Sequence, residues 1–174
     1  KGQWIAGWGW DEGAWASHLP DMELLSKRVP DHPVVLTGLH TFAVWGNRLA
    51  FERAKITAAT AAPAGGEIRK DRRAQPTGIL LNTAGALLMN ALPPATPAQL
   101  ESRILKGLEA PAAAGYVSVD ETGAEDAVLT ALERLHTSGR LSMPVYTMLA
   151  ARDATLMKSW VDRWPVSDPG QLVI

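Results

Sequence analysis

From Gly115 onward the chain alternates between two kinds of periodicity, and this constrains the fold more than any other feature. "GYVSV" (115–119) is a β-branched run preceded by a glycine. Thr122 and Glu125 have capping-box spacing, and Ala127, Val128, Ala131, Leu132 and Leu135 follow at helical intervals. Gly139 stands where a helix C-cap belongs. "MPVYTMLA" (143–150) reads as the next strand, with Pro144 tolerable near its start. Asp153 is placed to cap another helix with Leu156, Met157, Trp160, Val161 and Trp164 on its apolar face, and Pro165 stops it. Leu172–Ile174 then opens a further strand. Strand, helix, strand, helix, strand implies parallel β/α units, so the expected class is α/β.

A further helix precedes these units. Thr96 caps it, Pro97 takes its first position and Gln99 closes the box. Leu100, Ile104, Leu105 and Leu108 form its apolar face, and Pro111 should kink or end it. The earlier sequence is less regular. Residues 4–10 and "PVVLTGL" (33–39) read as strands, and 43–54 as a helix carrying Val44, Leu49 and Phe51. Residues 58–66, rich in Ala, Pro and Gly, read as loop. The runs 67–69 and 78–81 flank a polar turn, the signature of a hairpin. The shift from irregular β to regular β/α near "PPATP" divides the chain into an α+β subdomain (1–95) and a β/α segment (96–174).

Composition narrows the chemistry. A formal net charge of −1 gives no electrostatic reason to expect nucleic acid or an acidic membrane as partner. Without cysteine there is no disulfide, thiolate nucleophile or cysteine-based metal site, and a reducing cytoplasm is compatible with that. No apolar run approaches the ~20 residues of a membrane span. The chain starts at Lys1 and stops within an apolar run at Ile174; both ends read as cuts.

Four histidines, His18, His32, His40 and His136, form no H-x-H or H-E-x-x-H pair, so no local metal motif exists. His32 suits a turn and His136 a helix C-terminus. His40 is the candidate to keep: it follows a strand and precedes Trp45 and Asn47. Asp120 and Glu121 fall at the expected C-terminal end of a parallel strand, the edge where such sheets place ligands. The acidic turn Asp11–Gly13 and the basic "RKDRR" (69–73) read as solvated turns. Four of the seven tryptophans fall within residues 4–15, and strand alternation would put Trp4, Trp8 and Trp10 on one face.

The segments "WIAGWGWDEGAW", "PVVLTGLHTFAVWGN", "GGEIRKDRRAQPTGILLN", "PPATPAQL" and "AAGYVSVDETG" resemble, in that order, a branch of the metal-dependent amidohydrolases that includes N-substituted formamide deformylase-like and exoenzyme-regulatory-like proteins (amidohydrolase family 3). The resemblance runs over nearly the whole chain. It implies a (β/α)₈ barrel with a β-sandwich and an inserted subdomain, hydrolysing amide-like C–N bonds with one or two metal ions, often zinc. A barrel needs ~250 residues, so the resemblance implies an internal piece: a partial barrel with two to three parallel strands, preceded by the insert. The family's H-x-H pair would lie before Lys1, and its bridging lysine, later histidines and aspartate beyond Ile174. No metal ligand or catalytic residue falls in this chain, which by itself would be inactive and need no cofactor. Trp8, Trp10, His40, Trp45, Asn47 and Asp120 would line the small-molecule substrate pocket. Two positions depart from the family pattern. Phe42 stands where many members of the Gly-His-x-x-Trp-x-Asn pattern have histidine, and Asp120 where many have histidine.

Two other readings compete. Clustered indoles can form a platform for carbohydrates or aryl amides. Exposed strand edges can drive self-association.

Overall fold

The computed structural model describes residues 1–15, 19–151, 153–161, 167–168 and 172–173. Two compact units divide the chain, Lys1–Pro93 and Pro94–Ile174. Both are mixtures of strands and helices.

The first unit is a five-stranded mixed sheet with the order β1-β2-β3-β5-β4. Its strands are β1 (Ile5–Trp10), β2 (Val34–Gly38), β3 (Ala43–Gly46), β4 (Gly66–Lys70) and β5 (Pro76–Asn82). β1 and β2 are parallel; the other pairs are antiparallel. The polar turn between β4 and β5 is held by Asp71, whose Oδ1 accepts from the amides of Arg73 (2.8 Å) and Gln75 (2.9 Å). One sheet face is dry: Val35, Val44, Ile68 and Leu80 pack with Phe51, Ala84 and Leu88.

Residues 43–54, expected as one helix, form β3 followed by the short helix α2 (Arg48–Arg53). The break falls at Asn47, which caps α2 by accepting from the Ala50 amide at 3.0 Å. Helix α1 (Met22–Arg28) had not been expected. Asp21 caps it through the amides of Glu23 and Leu24, and Lys27 and Arg28 complement its C-terminal dipole. Its first residue abuts β5. A Cβ on Gly78, already at φ +107°, would lie 2.7 Å from the Met22 nitrogen. The glycine of the Pro-Thr-Gly hairpin therefore lets helix and sheet touch. After β5, a 3₁₀ turn (Thr83–Gly85) leads into helix α3 (Ala86–Met89).

The second unit is built on the parallel pair β6 (Val119–Ala124) and β7 (Val145–Leu149). Beyond β7 lie β9 (Leu172–Val173), parallel to it, and β8 (Ser167–Asp168), antiparallel to β9. Helix α4 (Pro97–Ala113) starts with the expected capping box of Thr96 and Gln99. Pro111 does not end it. The proline sits in the last turn, with only two helical residues after it, and the helix runs on to Ala113.

The strand expected at 115–119 begins four residues later. Gly115 (φ +86°) belongs to the helix instead. Its amide donates to Ala112 O (3.0 Å) and that of Tyr116 to Pro111 O (3.0 Å), a Schellman closure. β6 then runs through Thr122, so no capping box forms there, and Glu125 is the N-cap of α5 (Asp126–Thr137). Gly139 closes α5 as expected: its amide donates to His136 O and that of Arg140 to Leu135 O. Asp153 caps α6 (Ala154–Val161) through the amides of Thr155 and Leu156 at 3.0 Å. Residues of α4, α5 and α6 (Leu108, Leu129, Leu132, Leu156, Trp160) share one core with Val145 and Ala124. His18, Trp164, Pro165 and Ile174 lie outside the described residues, as does the side chain of Val161.

Candidate functional site

The first unit's sheet has a second face, away from its dry core, and three of its indoles, those of Trp10, Trp15 and Trp45, gather there. The register shows which ones. Trp8 pairs with Thr37 and Trp10 with Gly38, with a register shift between them and Gly9 at φ +96°. Thr37 and Gly38 are consecutive in β2, so their partners face opposite ways. The bulge therefore breaks the regular alternation expected of Trp4, Trp8 and Trp10. Trp4 packs against the dry core, whereas Trp8 is 68% exposed. Trp10 turns to the other face and meets Trp45 edge-on, ring centroids 5.8 Å apart.

Trp45 is the centre of this cluster. It is buried in β3, and Trp15 approaches it edge-on from a second side at 5.7 Å. Both inner indoles spend their N–H on backbone: Trp45 Nε1 donates to Asp21 O (2.9 Å) and Trp10 Nε1 to Leu36 O (3.1 Å). Their polar tips are thus satisfied and their rings held rigidly.

Beside them, where β1 and β2 end, Glu12 meets His40. The Glu12 side chain is 4% exposed and that of His40 63%. Carboxylate oxygen Oε2 lies 3.0 Å from His40 Nδ1, and the His40 amide donates to both oxygens at 3.3 and 3.4 Å. Burial acts to raise the Glu12 carboxyl pKa. Hydrogen bonds from its own amide and from the ring and amide of His40, with the attraction of His40, outweigh that and hold it below the usual carboxylate value. The carboxylate occupies the space above Gly38, where a Cβ would fall inside it. Glu12 is therefore no solvated turn residue, contrary to the expectation for Asp11–Gly13. The His40 imidazole stacks loosely on exposed Phe42, centroids 6.5 Å apart. Between them Thr41 adopts φ +65°.

The other expected site residues have different surroundings. Asn47 is fully buried, and all its hydrogen-bonding capacity goes to backbone. Oδ1 accepts from Val34 N (2.9 Å) and Ala50 N (3.0 Å); Nδ2 donates to Val29 O (3.1 Å) and His32 O (2.7 Å). It clamps α1's exit, β2 and α2 together. Asp120 lies in the second unit. With β6 starting at Val119, Asp120 is near the strand's N-terminal end, not its C-terminal edge, and it pairs with Tyr146. There it lines a cleft of about 280 Å³ with Ile104, Leu108, Pro111 and Val128.

A model of the amidohydrolase family matches residues 1–170. The chain belongs to that family. Among curated proteins, this amidohydrolase chain is 36% identical over 97 residues to "Putative amidohydrolase YtcJ" of Bacillus subtilis (strain 168), covering 54% of the chain and 18% of that protein. It is 35% identical over 95 residues to the N-substituted formamide deformylase of Arthrobacter pascens, covering 52% and 17%. It is 32% identical over 88 residues to Protein LONG AFTER FAR-RED 3 of Arabidopsis thaliana, covering 51% and 15%. Two crystal structures of uncharacterized metal-dependent hydrolases share its fold over 100% of the chain. The Pyrococcus horikoshii protein does so with a TM-score of 0.68 and 21% identity, the Pyrococcus furiosus protein with 0.66 and 23%. The chain spans about a third of their length (33% and 34%).

Those two hydrolases are metal-dependent by name, so the donor set of the amidohydrolase chain matters. Among the described residues no three His, Asp or Glu side chains converge. Where a carboxylate and an imidazole do meet, the Glu12 oxygens are already engaged by His40 Nδ1 and backbone N–H groups. The described residues do not fit a metal centre.

Proposed function

We propose that this chain is part of a metal-dependent hydrolase acting on amide-like C–N bonds, and that it supplies pocket wall rather than the metal site. The observation that carries this reading is the family match over residues 1–170, together with the chain's spanning only about a third of the hydrolases whose fold it shares. In this reading residues 1–93 are an inserted subdomain whose Trp10, Trp15 and His40 face the substrate, with Trp45 buried against the two indoles. Residues 94–174 are a partial (β/α) barrel, a reading supported by the successive parallel strands β6, β7 and β9 and by three helices sharing one core. The metal, zinc or a similar divalent ion, would be held by residues outside this chain and would polarise the scissile carbonyl and activate water.

A free-standing aromatic platform is less well supported. Trp8 and Trp10 face opposite ways, and the inner indole N–H groups are already spent on backbone.

The test compares this chain with the longer reading frame containing it, both zinc-supplemented, for amine release from N-substituted formamides. Turnover by the longer protein alone is the expected result. Turnover by the chain alone, or a longer frame encoding no H-x-H motif and no downstream lysine and histidine ligands, overturns the proposal.

A further inference from the structure

Glu12 poses a question that lining a wall does not answer. Drawing a carboxylate out of water to 4% side-chain exposure carries a desolvation cost that its hydrogen bonds have to offset, yet what it holds is a turn at the surface. The geometry gives it a more particular task. An ionised carboxylate only accepts hydrogen bonds, so the contact of 3.0 Å to His40 Nδ1 requires the hydrogen to be on Nδ1. In a neutral imidazole the lone pair then sits on Nε2. Two features support the pairing. Gly38 leaves room for the carboxylate, and the His40 amide adds a second anchor. The rest of the imidazole stays open, beside the exposed ring of Phe42. The product is a buried acid, an oriented ring and, among the described residues, an acceptor without a partner next to the aromatic ring of Phe42. Carboxylates fix the tautomer and orientation of imidazoles in this way in metal sites and in catalytic triads.

From this arrangement we infer that Glu12 is a positioning residue that holds His40 in the Nδ1–H tautomer, so that Nε2 accepts a hydrogen bond from the N–H of an aryl amide ligand. The tautomer half stands on geometry alone. The ligand half rests on the hydrolase reading above, and takes its aryl group from the exposed Phe42 ring beside His40. The lowered carboxyl pKa of Glu12 agrees with a charge that the His40 contacts stabilise.

The experiment is long-range ¹H–¹⁵N NMR of the ¹⁵N-histidine-labelled chain at pH 8, with His40→Gln identifying the His40 resonances by their loss. Nδ1–H should dominate at His40, and Glu12→Gln, whose amide can donate as well as accept, should shift the balance towards Nε2–H. A dominant Nε2–H tautomer in the unaltered chain overturns the proposal even if Glu12→Gln fails to fold. Formanilide is then added, with N-methylformanilide, which lacks the N–H, as control. The His40 Nε2 resonance should move with formanilide and not with the control. Equal movement, or none, removes the ligand half. The hydrolysis comparison reads nothing of the His40 tautomer, so either idea can fail while the other stands.

Discussion

Replacing Asn47 by alanine should cost the first unit a large part of its stability. Asn47 is fully buried and makes four hydrogen bonds of 2.7 to 3.1 Å, all to backbone. Truncation orphans two buried donors, the amides of Val34 and Ala50, and removes the N-cap of α2. Each stranded buried group costs about 1–3 kcal/mol. The carbonyls of Val29 and His32 lose a partner each but sit nearer solvent, and one water in the vacated space would recover part of the loss. The net expectation is about 3–5 kcal/mol, at the severe end for one substitution and a sizeable share of the ~5–15 kcal/mol of a typical domain. Urea denaturation followed by tryptophan fluorescence is the assay. Five of the seven tryptophans (Trp4, Trp8, Trp10, Trp15, Trp45) lie in residues 1–93, so the signal reports mainly this unit. A loss below about 0.5 kcal/mol, within the range of ordinary surface changes, would refute the clamp and leave Asn47 among the residues free to meet a ligand.

Other expectations follow from single contacts. Gly38→Ala drives a Cβ into the Glu12 carboxylate and should cost about 1–3 kcal/mol; an unchanged denaturation midpoint would contradict that overlap. Gly78→Ala adds left-handed strain (φ +107°) to a clash with Met22 backbone and should lower the midpoint at least as far; a rise would show that α1 does not press on β5. The folded-state pKa of Glu12 is depressed, so its contribution to stability is complete above the unfolded carboxylate value and fades as pH falls through the folded one. Acid titration should therefore destabilise the unaltered chain more than Glu12→Gln below the usual carboxylate range, and parallel curves would count against it. Pro111→Ala restores a donor in the last turn of α4 and should raise helical thermal stability, by about 1 kcal/mol at this terminal position; a drop on circular dichroism melting would mean that the proline ring packs usefully.

The sequence was most legible where structure is decided within a few residues. The Thr96–Gln99 box, the Gly139 closure, the Asp153 cap and the Asp71 turn are all local hydrogen-bond devices, and all stand where their residue types put them. Misreadings arose where one residue type serves two purposes. Gly115 looked like punctuation before a strand but closes α4, leaving Val117 82% exposed while the polar run Asp120–Gly123 forms β6 beside β7. Tertiary pairing outweighed β-propensity there. Asn47 read as a position inside a helix when it was the helix's start, so β3 was hidden. Helix α1 is too short for its periodicity to stand out.

The candidate site shows the same division. Trp10, Trp45 and His40 were visible by type and position. Glu12 was not, because its importance depends on Gly38, which lies 26 residues away in sequence and gives it room. The separation of Trp8 from Trp10 turns on a bulge at Gly9, which strand alternation does not anticipate. Asp120 lost its expected place at the ligand edge when β6 moved four residues along the chain.

The central claim is that this amidohydrolase chain contributes pocket wall and not the metal centre. Equilibrium dialysis of the purified chain against micromolar zinc, read by elemental analysis, tests it most directly. The account predicts much less than one zinc per chain, unchanged by His40→Gln. One tightly held zinc per chain, lost on His40→Gln, would contradict it and make the Glu12–His40 pair part of a metal site.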